Sequence, residues 1–129
     1  MIKKTITYTD YNGVEKSEPH YFNLNQIELI KLESAASGGL EESMKRLIET
    51  KDILAIIDVI EDLIQKSYGV KTADGRFVKR KEDLDAFMSS PAYEELFMSL
   101  ASNADAAAEF FNGVIPSNLA EKIKAHTGN

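Results

Sequence analysis

His20 and His126 are the only imidazoles in this 129-residue chain, and it has no Cys. Metal and nucleophilic chemistry therefore have few places to start. A zinc site needs about four N, S or O ligands converging on the ion, and two distant histidines do not supply them. His20 stands near Glu18, and such a pair could in principle activate a nucleophile. Both flank Pro19 on a strand expected to be exposed, so a solvated imidazole is the simpler reading, and no enzyme is expected. Adjacent carboxylates occur at Glu41-Glu42, Glu61-Asp62, Glu82-Asp83 and Glu94-Glu95. All but Glu61-Asp62 fall in or next to an expected first helical turn, where the helix dipole accounts for them; a solvated polar face accounts for that one. The Asp74-Gly75 turn lacks the alternating acids of a calcium loop. Neither a Walker sequence nor a dinucleotide glycine pattern is present, and no cofactor is expected.

The one basic cluster is Lys71, Arg76, Lys79, Arg80 and Lys81, with Phe77 among them. A small nucleic-acid-associated regulator using residues 76–81 is the alternative that this cluster raises. Nucleic-acid binding would want basic residues interleaved with several stacking aromatics. Here a single Phe is followed by Glu82, Asp83 and Asp85, which reads as a solvated hairpin rim. The chain's net charge of −6 repels polyanions as a whole. Protein partners are expected; nucleic acid is not.

The composition, 43% hydrophobic and 28% charged, is that of one globular domain spanning residues 1–129. Its longest apolar stretch, Ile53 to Ile57, is far short of the about 20 residues that span a bilayer. The start lacks a signal-peptide pattern, and the cytoplasm is the default location.

Residues 2–9 read as a strand, Asp10-Tyr11-Asn12-Gly13 as a turn, and Val14 to Phe22 as the return strand. Pro19 cannot donate to a ladder, so the return strand should lie at an edge or fray there. Asn25 and Glu28 form a capping box for a helix, with Leu24 and Leu29 as its hydrophobic staple. That helix should stop at Ser37-Gly38-Gly39. A second carries Leu40, Met44, Leu47 and Ile48. A third, from Asp52 to Tyr68, presents Ile53, Ile57, Ile60 and Ile64, widened by Ile56 and Leu63, and should end on a left-handed Gly69. A small hairpin follows at 70–79 around Asp74-Gly75, then a short helix from Glu82 to Met88. Ser90-Pro91 opens a long helix whose stripe is Tyr93, Leu96, Phe97, Leu100, Ala104, Ala107 and Phe111, ended by Asn112-Gly113. An extended Ile115-Pro116 and a last short helix from Asn118, then a polar tail, complete the chain. The expected fold is mainly α (α+β): a helical bundle over residues 25–116 with an N-terminal hairpin at 2–22 and a small central one.

Some rings exceed what such a fold obviously needs. Tyr8, Tyr11, Tyr21 and Phe22 sit on a polar ribbon, and a two-stranded hairpin is marginal alone. They must pack on the helices or on another chain, which leaves self-association open. Phe110 and Phe111 point about 100° apart on a helix, so burying both needs two surfaces. With Phe77, Val114 and Ile115, these residues form the candidate protein-binding set.

The order of segments resembles the tail assembly chaperones of long-tailed bacteriophages (siphovirus type) of Gram-positive hosts. The resemblance runs from residue 1 to about 116 and rests on Tyr8-Thr9-Asp10-Tyr11-Asn12-Gly13, Tyr21-Phe22-Asn23-Leu24-Asn25 and Ser67-Tyr68-Gly69. Ala73-Asp74-Gly75-Arg76-Phe77, Phe87-Met88, Ser90-Pro91-Ala92-Tyr93-Glu94-Glu95-Leu96 and Phe111-Asn112-Gly113-Val114-Ile115-Pro116 complete it. Pro91 departs from the pattern but suits a first helical position. The resemblance implies a non-enzymatic protein of the host cytoplasm, absent from the mature virion. It implies binding to the tape measure protein, keeping it soluble, and recruitment of tail tube subunits. A longer, frameshifted product is common in such phages.

Overall fold

A computed structural model describes residues 1–35, 38, 39, 42, 45, 46, 49 and 53–114. The helix expected on Leu40, Met44, Leu47 and Ile48, the extended Ile115-Pro116, the last short helix and the polar tail lie outside these residues. Among the described residues there are four strands and five helices: β1 (Ile2–Thr9), β2 (Glu15–Phe22), α1 (Gln26–Ala35), α2 (Ile53–Ser67), β3 (Tyr68–Lys71), β4 (Phe77–Val78), α3 (Lys81–Met88), α4 (Pro91–Ala101) and α5 (Ala104–Val114). The α+β class expected from the sequence is the one that forms.

Both expected hairpins are present, and they are joined. The strands make one antiparallel sheet in the order β1-β2-β3-β4. β1 and β2 pair along their whole length, from Ile2 opposite Phe22 to Thr9 opposite Glu15. β3 meets β2 only at Tyr21–Gly69 and Phe22–Tyr68. β2 is therefore interior at its C-terminal end, and the fraying anticipated at Pro19 is confined to its β3 side. Its odd-numbered backbone groups face β3, as the bond from Asn23 N–H to the Ser67 carbonyl (2.8 Å) shows. Two rungs further along that side stands Pro19, which has no N–H, and the ladder has stopped.

β1 alternates as a half-buried strand should: Lys3, Thr5, Thr7 and Thr9 are exposed, while Ile6 is buried and Ile2 and Tyr8 lean on the core. Helices α4 and α5 pack against β1, and α3 against β3. The core gathers Ile6, Phe22, Leu24, Leu29, Ile60, Ile64, Phe87, Ala92, Leu96, Leu100, Phe110 and Val114. Its centre is aromatic. Phe22 meets the rings of Phe110 (5.1 Å), Tyr68 (5.8 Å) and Phe87 (6.0 Å), and Tyr68 stacks on Phe87 at 4.3 Å with planes 4° apart. Such contacts add about 0.5–1.5 kcal/mol per pair beyond the area buried.

The capping box forms as written: Asn25 N–H donates to Glu28 Oε1 and Glu28 N–H to Asn25 Oδ1, each at 2.9 Å. Leu24 and Leu29, the anticipated staple, are both buried in the core. Gly38 and Gly39, where α1 was expected to stop, have φ of 77° and 96°.

Three expectations are corrected. Gly69 is not a left-handed helix terminator, because α2 ends one residue earlier than Tyr68, at Ser67. The buried Ser67 hydroxyl donates back to the Leu63 carbonyl at 2.6 Å, and the chain passes straight into β3. Gly69 is needed for space: a Cβ there would lie 2.6 Å from Cζ of Phe77. The long C-terminal helix is two helices. Ser102 closes α4, its N–H and hydroxyl both donating to the Met98 carbonyl. Asn103 Oδ1 then accepts the Asp105 and Ala106 N–H groups at 3.0 and 3.1 Å, an N-cap that starts α5. Asn112-Gly113 does not end α5 either. Gly113 lies inside its last turn, where Ile2 Cδ1 would come within 2.6 Å of an added Cβ.

Candidate functional site

The candidate binding residues divide by position. Phe22, Phe110 and Val114 are fully buried, so they have no surface to offer in this fold. Phe111 and Tyr8 lean on the core from its margin. The Tyr8 hydroxyl donates to the Glu18 carboxylate, and that bond first, with burial second, raises the Tyr8 pKa above 10.0. Ile115 lies outside the described residues. Tyr11, Tyr21 and Phe77 remain with outward-facing surface, together with Val14, which sequence reasoning passed over.

Tyr11 occupies the β1–β2 turn and is 83% exposed; Val14, also in the turn, is 53% exposed. The backbone beneath them is tied down. Asp10 Oδ1 accepts the N–H groups of Asn12 and Val14, both at 2.9 Å, and the Asp10 carbonyl accepts the Gly13 N–H at 3.0 Å. Gly13 takes φ 80°, a conformation that suits glycine. Lys16 Nζ reaches Asp10 Oδ2 at 3.1 Å. The Val14 N–H bond and then Lys16 hold the Asp10 carboxyl below its ordinary 3.8. An apolar pair thus stands out on a turn whose shape is set in advance.

The second outward group lies on the sheet face that carries Lys3, Thr5, Thr7 and Thr9. The β2–β3 and β3–β4 registers place Tyr21, Gly69, Lys71 and Phe77 on this same face. Lys71 Nζ lies 5.5 Å from the centre of the Tyr21 ring, and the Phe77 ring covers Gly69. The result is a polar, threonine-rich ribbon with half-buried rings at one end and Tyr11 at the other.

The residues first weighed for chemistry have structural roles. His20 is half-buried rather than freely solvated. Its ring sits 4.9 Å from Phe87 and 6.4 Å from Tyr68, with Nε2 buried and unpartnered. β2 is interior at this end, and its even-numbered residues face the helices; burial therefore lowers the His20 pKa below 6.5. It lines an open cleft of about 350 Å³ where β2 and β3 part, with Glu18, Pro19, Tyr68 and Lys71. Lys79 lies on the exposed rim but is engaged there: it contacts both Glu28 oxygens at 2.8 Å and the Lys66 carbonyl at 2.7 Å. It thereby pins the start of α1 to the end of α2, which no short-range spacing in the sequence could reveal. Arg76 pairs with Asp74 at 3.2 Å, and Arg80 precedes α3 as its cap residue. Among the described residues no group of three or more His, Asp or Glu could hold a metal ion, and no helix is long and apolar enough to cross a membrane.

A family model described as phage tail assembly chaperone matches residues 1–128. The chain belongs to that family. The match covers both outward groups of this tail assembly chaperone and the core that positions them. No curated protein and no solved structure matches the chain.

Proposed function

We propose that this tail assembly chaperone binds the tape measure protein of its phage, keeps it soluble and helps recruit tail tube subunits around it. It acts in the host cytoplasm, catalyses no reaction and stays out of the finished virion. The family assignment supports a role in tail assembly. The observation that carries the binding role is the exposed Tyr11–Val14 tip held on a pre-shaped turn. A tape measure protein is long and helical, and before a tube encloses it, it exposes apolar stripes. A rigid apolar knob and half-buried rings on a polar ribbon cover such stripes at low ordering cost. The small apolar area involved also permits release. The net charge of −6 keeps a complex with exposed apolar surface in solution.

Co-expression tests this. The tape measure protein encoded by the same phage should become soluble and co-purify with the chaperone. A tape measure protein that stays insoluble and unbound, with the tail tube protein also failing to co-purify, would remove the proposal.

A further inference from the structure

The two edges of the sheet are unequal. β4 is two residues long, whereas β1 offers eight residues without proline. The Asp10 N–H bonds to the Val14 carbonyl, so the even-numbered backbone groups of β1 face β2. Those of Lys3, Thr5, Thr7 and Thr9 face away from the sheet, and among the described residues no strand pairs with them. A regular edge of this length is a template for another strand.

We propose that the strand it takes is β1 of a second copy, paired antiparallel, so that two four-stranded sheets become one of eight. One register uses all four outward-facing residues of both copies. It sets Thr5 opposite Thr7, Lys3 opposite Thr9 and Ile6 opposite Ile6 on the two-fold axis. Each outward pair exchanges two bonds, about eight in all. Directly opposed threonines hydrogen-bond side chain to side chain, as Thr7 and Ser17 already do within one chain at 3.2 Å. The charges are self-complementary in this register. Glu15 is the β2 neighbour of Thr9, so the exposed Lys3 of one copy reaches across Thr9 toward the exposed Glu15 of the other. A parallel arrangement would instead bring Lys3 and Lys4 alongside their own counterparts.

Sedimentation equilibrium across the micromolar range, combined with residue-resolved amide exchange, tests the pairing. The wild-type chain should approach twice its 14.4 kDa mass, with the Thr5 and Thr7 amides slow to exchange only in the associated form. Thr7→Pro removes an outward N–H while leaving the β2 ladder intact. It should weaken association at least about tenfold, with the Ile6 and Tyr8 amides still protected. Lys3→Glu should weaken it too, and adding Glu15→Lys should restore it, a readout that does not depend on the proline variant folding. A monomer at every concentration would overturn the proposal. So would a dimer that leaves the Thr5 and Thr7 amides fast and ignores the charge swap.

Discussion

The two ends of the β1–β2 ribbon carry aromatic rings and use them in opposite ways. At the inner end Phe22 is wholly enclosed by Tyr68, Phe87 and Phe110, whereas at the outer end Tyr11 is 83% exposed. The difference lies in what each ring has behind it. Phe22 is followed within two residues by Leu24 and the capped start of α1, and β3 pairs beside it. Tyr11 stands on a turn that satisfies its own backbone and leaves the ring in solvent. One end of the ribbon is anchored in the core, and the other is held out from it. Stability and recognition can therefore be separated by substitution.

The largest effect should come from the anchored end. Phe22→Ala should cost about 3–5 kcal/mol in chemical denaturation, because a wholly enclosed ring leaves a cavity. A cost below about 1 kcal/mol would mean the two ends are not so different. Gly69→Ala should cost about 1–3 kcal/mol, since the new methyl meets the Phe77 ring. Combining it with Phe77→Leu should return part of that loss in the same assay. Asn25→Ala, which removes half of the capping box, should cost about 1 kcal/mol in thermal unfolding.

Acidification probes the anchored end more gently. Burial lowers the folded pKa of His20 below the 6.5 of the unfolded chain, so the unfolded state takes up a proton first. The stabilisation is complete above 6.5 and declines as pH falls from 6.5 toward the lowered folded value. Urea midpoints should drop over that interval, and His20→Gln should flatten the drop. The smallest effect belongs to the outer end: Tyr11→Ser should change stability by no more than about 0.5 kcal/mol.

What was legible in the sequence was local. The Asn25–Glu28 box spans three residues, the Asp10–Gly13 turn is closed by its own first side chain, and α2 shows its buried stripe through Ile60 and Ile64. What was illegible was either non-local or hidden by a continuing pattern. The apolar period runs unbroken through Ser102-Asn103, so only the cap chemistry of Asn103 and Asp105 marks the break between α4 and α5. The pairing of Tyr21 with Gly69 joins segments far apart in the chain. Once it forms, β2 is interior at its C-terminal end, His20 is half-buried, and Phe77 lies over a glycine that looked like a helix stop. The candidate binding set suffered from the same blindness. Ring type alone could not separate Phe22 and Phe110, which build the core, from Tyr11, which faces solvent.

The most direct test sets the outer end against the core in one binding measurement. Purified wild-type chain and a Tyr11→Ser, Val14→Ser double variant, matched for unfolding midpoint, would be titrated against soluble tape measure protein segments. The account predicts binding by the wild type and a large loss of affinity in the equally stable variant. Equal affinity for both, or no binding by the wild type, would contradict it.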